Sequence, residues 1–185
     1  MEMRIPKGPE YYDQVFSESQ AYQIHYKHSP YFVLWSQILL WLRQLEAPKI
    51  LEIGCGTGQL AHYLYDEGFG DYYGFDFSPK AVEIAKQAVD QSFAIGDAFE
   101  EAPYQFDYNV AVATEVLEHV ADDYAIIKSL RKGTVFIFSL PTYDDPAHVR
   151  FFPAGGQVVQ RYRGYVQFKA VHLINRWFAC LGVIR

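Results

Sequence analysis

The sequence predicts an α/β fold built on a doubly wound, mostly parallel sheet, and three observations carry that prediction. The first is an apolar run, Ile50–Ile53, that ends in glycines at 54, 56 and 58 and passes at once into an amphipathic segment, Gln59–Glu67. The second is the continued alternation of strand-like and helix-like segments to position 140, the rhythm of a parallel sheet with helices on both faces. The third is bulk. At 185 residues, 50% hydrophobic and 21% charged, the chain is long enough for one domain with a real core and too short for two ordinary ones.

Taken in order, the chain opens with a dense set of aromatics: Tyr11, Tyr12, Phe16, Tyr22, Tyr26, Tyr31 and Phe32. Their spacing keeps neither a helical nor a strand period, which predicts a short helix near Glu10–Phe16, an irregular crossing, then a helix from Ser29 or Pro30 to about Leu45. Ser29-Pro30 offers a capping residue and a proline at the first helical position, and Phe32, Trp35, Ile38, Leu39 and Leu42 form an apolar stripe. The tyrosines ahead of that helix either close a pocket as a lid or coat the domain. Strands are expected at Asp71–Phe75 with Asp76 at its end, at Ser92–Ile95 ending in Gly96-Asp97, at Phe106–Ala113, and at Gly133–Leu140 stopped by Pro141. Between them, Ser78-Pro79 caps and opens a helix, and Glu115 begins another that runs to Leu130 with a break near Ala121-Asp122. After Pro153 and Gly155-Gly156, Gln157–Tyr162 reads as one or two helical turns. Tyr165–Ile174 and Trp177–Ile184 read as strands, although Val171–Cys180 also fits a helix.

Net charge is −6 and pI about 5.5, so no overall field draws the protein to polyanions, and nucleic acid is not the expected partner. Cys55 and Cys180 have no metal-ligand spacing and read as packed, reduced thiols. Met1–Pro9 is polar and proline-broken, unlike a signal peptide, and the apolar stretch around Tyr31–Leu42 is shorter than a bilayer span of about 20 residues. A cytoplasmic protein without a membrane partner is expected.

The glycine loop lets the backbone take positive φ, and the helix behind it offers unpaired N–H groups to a ligand. Glu52, Gly54, Gly56 and Gly58 spell Glu-x-Gly-x-Gly-x-Gly, which resembles motif I of the class I S-adenosylmethionine (SAM)-dependent methyltransferases. The dinucleotide fingerprint would instead place glycine at position 59, where this chain has Gln59. The resemblance implies a Rossmann-like sheet of seven strands, the late hairpin inserting one antiparallel strand, with an N-terminal helical and aromatic cap. It divides a single domain, 1–185, into a cap (1–47), a SAM-binding core (48–140) and an acceptor-side loop with the final strands (141–185).

It also assigns residues at successive strand ends, where open α/β sheets bind ligands. Glu52 anchors the loop and the amino end of SAM, with Gly54, Cys55, Gly56, Gly58 and Gln59 lining the turn. Asp76, followed by Phe77, accepts the ribose hydroxyls; Asp97, Ala98 and Phe99 read and pack the adenine; Thr114 and Glu115 face the methionine portion. SAM is thus the expected cofactor, and a small molecule methylated on oxygen or nitrogen the expected acceptor.

Acceptor chemistry concentrates in Glu115-Val116-Leu117-Glu118-His119-Val120 and in the twelve-residue loop Pro141–Phe152. Methyl transfer from SAM needs the acceptor held in line and water excluded, with a general base for a hydroxyl acceptor. His119, Glu115 and His148 are the expected catalytic residues, and Tyr11, Tyr22, Tyr26, His119, Tyr143, His148 and Arg150 the expected acceptor contacts. Arg150 either grips an anionic group or pairs with Asp144 or Asp145. Two resembling groups, ubiquinone-pathway O-methyltransferases and small-RNA 3′-end methyltransferases, hold a divalent metal with corresponding side chains. The set here would be Glu115, Glu118, His119 and His148, suited to Mg²⁺, Mn²⁺ or Zn²⁺. Many resembling enzymes without a metal carry the same segment, so the expected site has none and the metal stays an alternative. A SAM-binding module without catalysis is the alternative outside enzymes. The Asn/Asp-Pro-Pro-Tyr/Phe motif of base and glutamine N-methyltransferases is missing; Ala113-Thr114-Glu115-Val116 stands in its place.

Overall fold

In the computed structural model, which describes residues 4–185, seven strands share one sheet. They are β1 (Ile50–Ile53), β2 (Tyr72–Asp76), β3 (Ser92–Ile95), β4 (Val110–Ala113), β5 (Val135–Pro141), β6 (Val166–Ile174) and β7 (Trp177–Ile184). The order is β3-β2-β1-β4-β5-β7-β6, and β7 runs antiparallel to both neighbours while the rest run parallel. Six helices cover the faces: α1 (Pro9–Glu18), α2 (Phe32–Leu42), α3 (Gln59–Asp66), α4 (Pro79–Ala88), α5 (Asp123–Ser129) and α6 (Gly155–Tyr162).

The period of two along each strand sorts the core into two layers. Ile50, Val110, Val112 and Ile137 pack on one face with Trp35, Ile38 and Leu42 of α2 and Leu60 and Leu64 of α3. Leu51, Ile53, Ala111, Ala113, Phe136 and Phe138 pack on the other with Leu117, Ile126, Val158 and Tyr162. Fully burying a Leu or Ile contributes about 1.5–3 kcal/mol, so α2 is fastened to the sheet by its stripe and belongs to a covering layer. On β4 the small Ala111 and Ala113 leave room for the stacked rings of Phe136 and Phe138, 4.6 Å apart.

Three expected elements are corrected. The second long helix starts at Phe32 because Ser29 closes a turn, accepting from the N–H of Tyr31 at 3.3 Å and of Phe32 at 3.1 Å, so Pro30 lies in that turn. The fourth strand starts at Val110, since Ala102–Gln105 forms a 3₁₀ turn and the chain reaches the sheet only at Asn109, whose carbonyl accepts from Val135. No helix begins at Glu115: its φ of +55° is left-handed, incompatible with a right-handed start, and α5 begins only after Asp122 caps it by accepting from Ala125 N–H. The final hairpin is as expected, and the pairing of Val171 with Cys180 excludes the helical alternative there. Among the described residues, no helix is long and apolar enough to cross a membrane.

Candidate active site

β1 lies between β2 and β4, so the strand order switches direction there, and the main cavity opens beyond the carboxyl ends of these strands. Its volume is about 760 Å³. The turn after β1 follows from two constraints. Gly54 has φ +68°, and a Cβ there would meet Val116 Cγ2 at 2.6 Å. Gly58 has φ +76° and would meet Ala85 at 3.0 Å, so it serves α3 against α4. Gly54, Cys55, Gly56, Thr57 and Gln59 line the cavity, whereas Gly58 faces away from it.

Two buried acids flank this turn. Glu52 points from an otherwise apolar strand and accepts from the Tyr72 hydroxyl; burial pushes its pKa up to about 8 against that bond. Asp76 accepts from the N–H of Gly56 and of Ser78, each at 2.9 Å. Burial still lifts it to about 6, the two backbone bonds opposing and Asp13 adding to the rise. Two such acids beside a glycine turn suit a ligand that brings a cation and hydroxyl donors. Phe77, Asp97, Ala98 and Phe99 continue the lining, with Asp97 accepting from Phe99 N–H at 2.9 Å and Phe99 largely exposed.

At the end of β4, Thr114, Glu115 and His119 line the same cavity, and Tyr143 and His148 reach it from the loop after β5. Glu115 keeps its left-handed backbone, a cost of about 1–2 kcal/mol, because Ser139 Oγ accepts its N–H at 3.0 Å and donates to its carboxylate at 3.2 Å. That turn folds Glu118 inward, fully buried, with the Glu115 carboxyl as its side-chain neighbour for a hydrogen bond and no donor facing it. Burial and the neighbouring Glu115 carboxyl hold Glu118 well above the usual carboxylate range, and burial also raises Glu115. His119 Nδ1 lies 3.1 Å from the Ala147 carbonyl and so carries the proton, leaving Nε2 as acceptor. Burial pushes that imidazole down to about 4. His148 is buried, lowered by the same cause, 4.9 Å from the His119 ring, and its Nδ1 has no partner.

Two expected acceptor contacts lie outside the cavity. Tyr26 is buried against Tyr63 and spends its hydroxyl on Asp66, 2.7 Å away, because its turn packs on α3. Arg150 donates to the carbonyls of Leu117 and Ala121 and sits 3.5 Å from buried Asp123, which Arg161 and the Tyr162 hydroxyl also hold, so it braces the 115–121 turn. Gln59 lines the cavity, but its amide donates to the cap carbonyls of Ala21 at 3.1 Å and Ile24 at 2.7 Å.

Other residues that line the cavity or brace its walls are not among the expected site residues. Tyr12, Phe16 and Tyr31 stand in the aromatic stretch that was noted, and only the packing separates them from Tyr26. Asp13 accepts from Ser78 and from Lys80 N–H, fastening α1 to the start of α4. Arg4 donates to Asp144 and to the carbonyls of Asp145 and His148, and Arg176 lines the cavity from the β6–β7 turn, 4.1 Å over the Tyr143 ring. No sequence signal marks these two.

A family model described as a methyltransferase domain matches residues 27–182. The chain is a class I SAM-dependent methyltransferase by family. One relative of this methyltransferase is the ubiquinone biosynthesis O-methyltransferase of Azorhizobium caulinodans, 37% identical over 86 residues. That match covers 44% of this chain and 34% of the relative, so the chain spans about a third of that protein's length. Among solved structures, magnesium protoporphyrin IX methyltransferase from Synechocystis PCC 6803, with bound SAH, superposes with a TM-score of 0.64 at 15% identity, covering 82% of each chain. A Pyrococcus horikoshii OT3 protein superposes with a TM-score of 0.70 at 16% identity, covering 93% of this chain and 99% of its own. At such identities the likeness is one of fold. S-adenosylmethionine is the cofactor of the family to which this chain belongs. The residues present fit it: a turn of positive-φ glycines whose Gly54, Cys55 and Gly56 line the cavity with backbone, and two buried carboxyls beside it, Glu52 and Asp76, that can face an ammonium and accept from hydroxyls.

Proposed function

We propose that this chain transfers the methyl group of SAM to an oxygen or nitrogen atom of a small-molecule acceptor. The observation that carries the reading is one continuous cavity that joins the glycine turn and Asp76 to Glu115, His119, Tyr143 and His148 beneath the aromatic segment. Its 760 Å³ falls within the roughly 300–1,000 Å³ of small-molecule sites and accommodates a cofactor with a modest acceptor. In this reading Gly54, Cys55 and Gly56 receive the methionine end, Glu52 its ammonium, Asp76 the ribose, and Ala98 and Phe99 the adenine. His119, neutral with Nε2 free, accepts a hydrogen bond from an acceptor O–H or N–H and orients its lone pair toward the methyl carbon. Tyr11, Tyr12 and Tyr22 exclude water over the reacting atoms.

A second reading, metal-assisted O-methylation, is favoured by the orphaned groups. One ligand atom each from Glu118, His119 and His148 lie within 4.8 Å of one another, no donor faces Glu118, and His148 Nδ1 has no partner. Glu118, His119 and His148, with Glu115 beside them, would hold a divalent ion. Such an ion acts as a Lewis acid that lowers the pKa of a coordinated hydroxyl.

The test is incubation with methyl-labelled SAM and fractionated small-molecule extract, with calorimetry of SAM binding alongside. Label in a low-mass fraction supports the proposal; SAM binding with no labelled product in any fraction makes the chain a binding module. Loss of transfer with EDTA, and in Glu118→Ala and His148→Ala, selects the metal-assisted form.

A further inference from the structure

Outside the cavity, on the far side of α3, a second cluster of ligating side chains has no role in methyl transfer. His62 and Asp66 stand one helical turn apart on α3, with His62 Nε2 3.9 Å from Asp66 Oδ1. His25 approaches from the cap, its ring 5.0 Å from that of His62 and 4.3 Å from that of Tyr26. One ligand atom each from His25, His62 and Asp66 lie within 4.8 Å of one another. We propose that these three residues form a divalent transition-metal site that fastens the N-terminal cap to α3.

The geometry is close to what an ion needs. Zinc bonds to nitrogen and oxygen of about 2.0–2.2 Å at tetrahedral angles put the donor atoms about 3.3–3.5 Å apart, so the side chains must close by little more than an ångström. Two imidazoles and a carboxylate suit Zn²⁺ and leave a fourth position open. Beside the cluster, a cavity of about 240 Å³ bordered by Gln23, His25, His62 and Ile84 gives that fourth ligand room.

A supporting contact orients the carboxylate. The buried Tyr26 hydroxyl donates to Asp66 Oδ2 at 2.7 Å and leaves Oδ1 facing His62, the kind of outer partner that fixes metal ligands. The contact from Lys27 N–H to His25 Nδ1 is 3.3 Å, long enough to be given up when the ring coordinates.

The location gives the ion a consequence. The segment carrying His25 is already stitched to the turn before α3, where Thr57 donates to the Tyr22 carbonyl and Gln59 to those of Ala21 and Ile24. An ion bridging His25 to His62 and Asp66 adds a stronger tie at the end of that seam, and so stabilises the closed cap over the main cavity.

The experiment uses the full chain stripped with chelator, then titrated with Zn²⁺ by calorimetry and with Co²⁺ by visible absorption, for wild type, His25→Ala and Glu118→Ala. Because His25 is exposed, its replacement leaves the fold intact. The expected result is one zinc equivalent that survives Glu118→Ala, weakens at least about tenfold in His25→Ala, and raises the melting temperature of wild type but not of His25→Ala. Tetrahedral Co²⁺ bands should follow the same pattern. Unchanged stoichiometry and affinity in His25→Ala, or loss of all zinc in Glu118→Ala, overturns the proposal. Neither outcome bears on whether SAM is bound or a methyl group transferred, so the two readings fail separately.

Discussion

The two halves of the main cavity are built on opposite terms. On the donor side, the carboxylate of Asp76 has two backbone N–H donors, Glu52 has the Tyr72 hydroxyl, and the turn is held by glycine geometry. On the acceptor side, Glu118 is buried with only another acid, Glu115, beside its carboxyl, His148 Nδ1 is unpaired, and Glu115 is strained. A buried polar group without a partner costs about 1–3 kcal/mol, so the first half is a finished mould and the second stores free energy that a ligand releases.

The comparison is tested most severely at Gly54. In Gly54→Ala the new Cβ meets Val116 and must hold φ +68°, which should cost about 2–4 kcal/mol and weaken SAM at least about 100-fold by calorimetry. Unchanged binding would mean that the turn does not cradle the cofactor. Asp76→Asn keeps the shape and removes the charge, and should weaken SAM by about 10–100-fold with little change in fold. Loss of folding instead would make Asp76 a structural cap for the turn.

On the other side, Glu118→Leu replaces a buried carboxyl that has only the Glu115 carboxyl beside it by an apolar group of similar size. Melting should rise by about 2–6 °C, from about 1–2 kcal/mol of relieved burial, while methyl transfer falls. A lower melting temperature would put Glu118 among the satisfied groups and erase the contrast.

The smallest expected effect is on pH dependence. Glu52 keeps its proton in the folded chain up to about pH 8 but loses it near 4.5 when unfolded, so the folded state binds more protons in that window and stability falls as pH rises. His119, neutral down to about pH 4 when folded, has the opposite sign between 4 and 6.5. Above pH 6.5 the imidazole contribution is complete. Glu52 should contribute a loss of about 1–2 kcal/mol between pH 6.5 and 8 in the ligand-free protein, read by urea unfolding, and Glu52→Gln should reduce that slope while the buried Glu118 and Glu115 keep a slope of the same sign.

How much was legible follows from which signals are local. The turn 54–58 and the Ser78-Pro79 helix start are written in neighbouring residues and appear where expected, whereas the final hairpin is locally ambiguous and follows from the resemblance. The break at Glu115 was missed because a left-handed glutamate has no sequence mark; it is held by Ser139, 24 positions away. Tyr26 and Arg150 were assigned to the acceptor by residue type, yet Asp66, 40 positions on, claims the first, and the carbonyls of Leu117 and Ala121 claim the second.

By itself, then, the sequence determined the sheet and the glycine turn with acids at strand ends, and the resemblance of that turn to motif I implied SAM, because backbone conformation and strand period act over a few residues. The tertiary structure alone decided the acceptor side. The resemblance offers Glu118, His119 and His148 as a set, but only packing brings one ligand atom of each within 4.8 Å, leaves His148 Nδ1 unpaired and ties Arg4 across 140 positions to Asp144, because burial and the satisfaction of polar groups depend on what the whole chain packs against them.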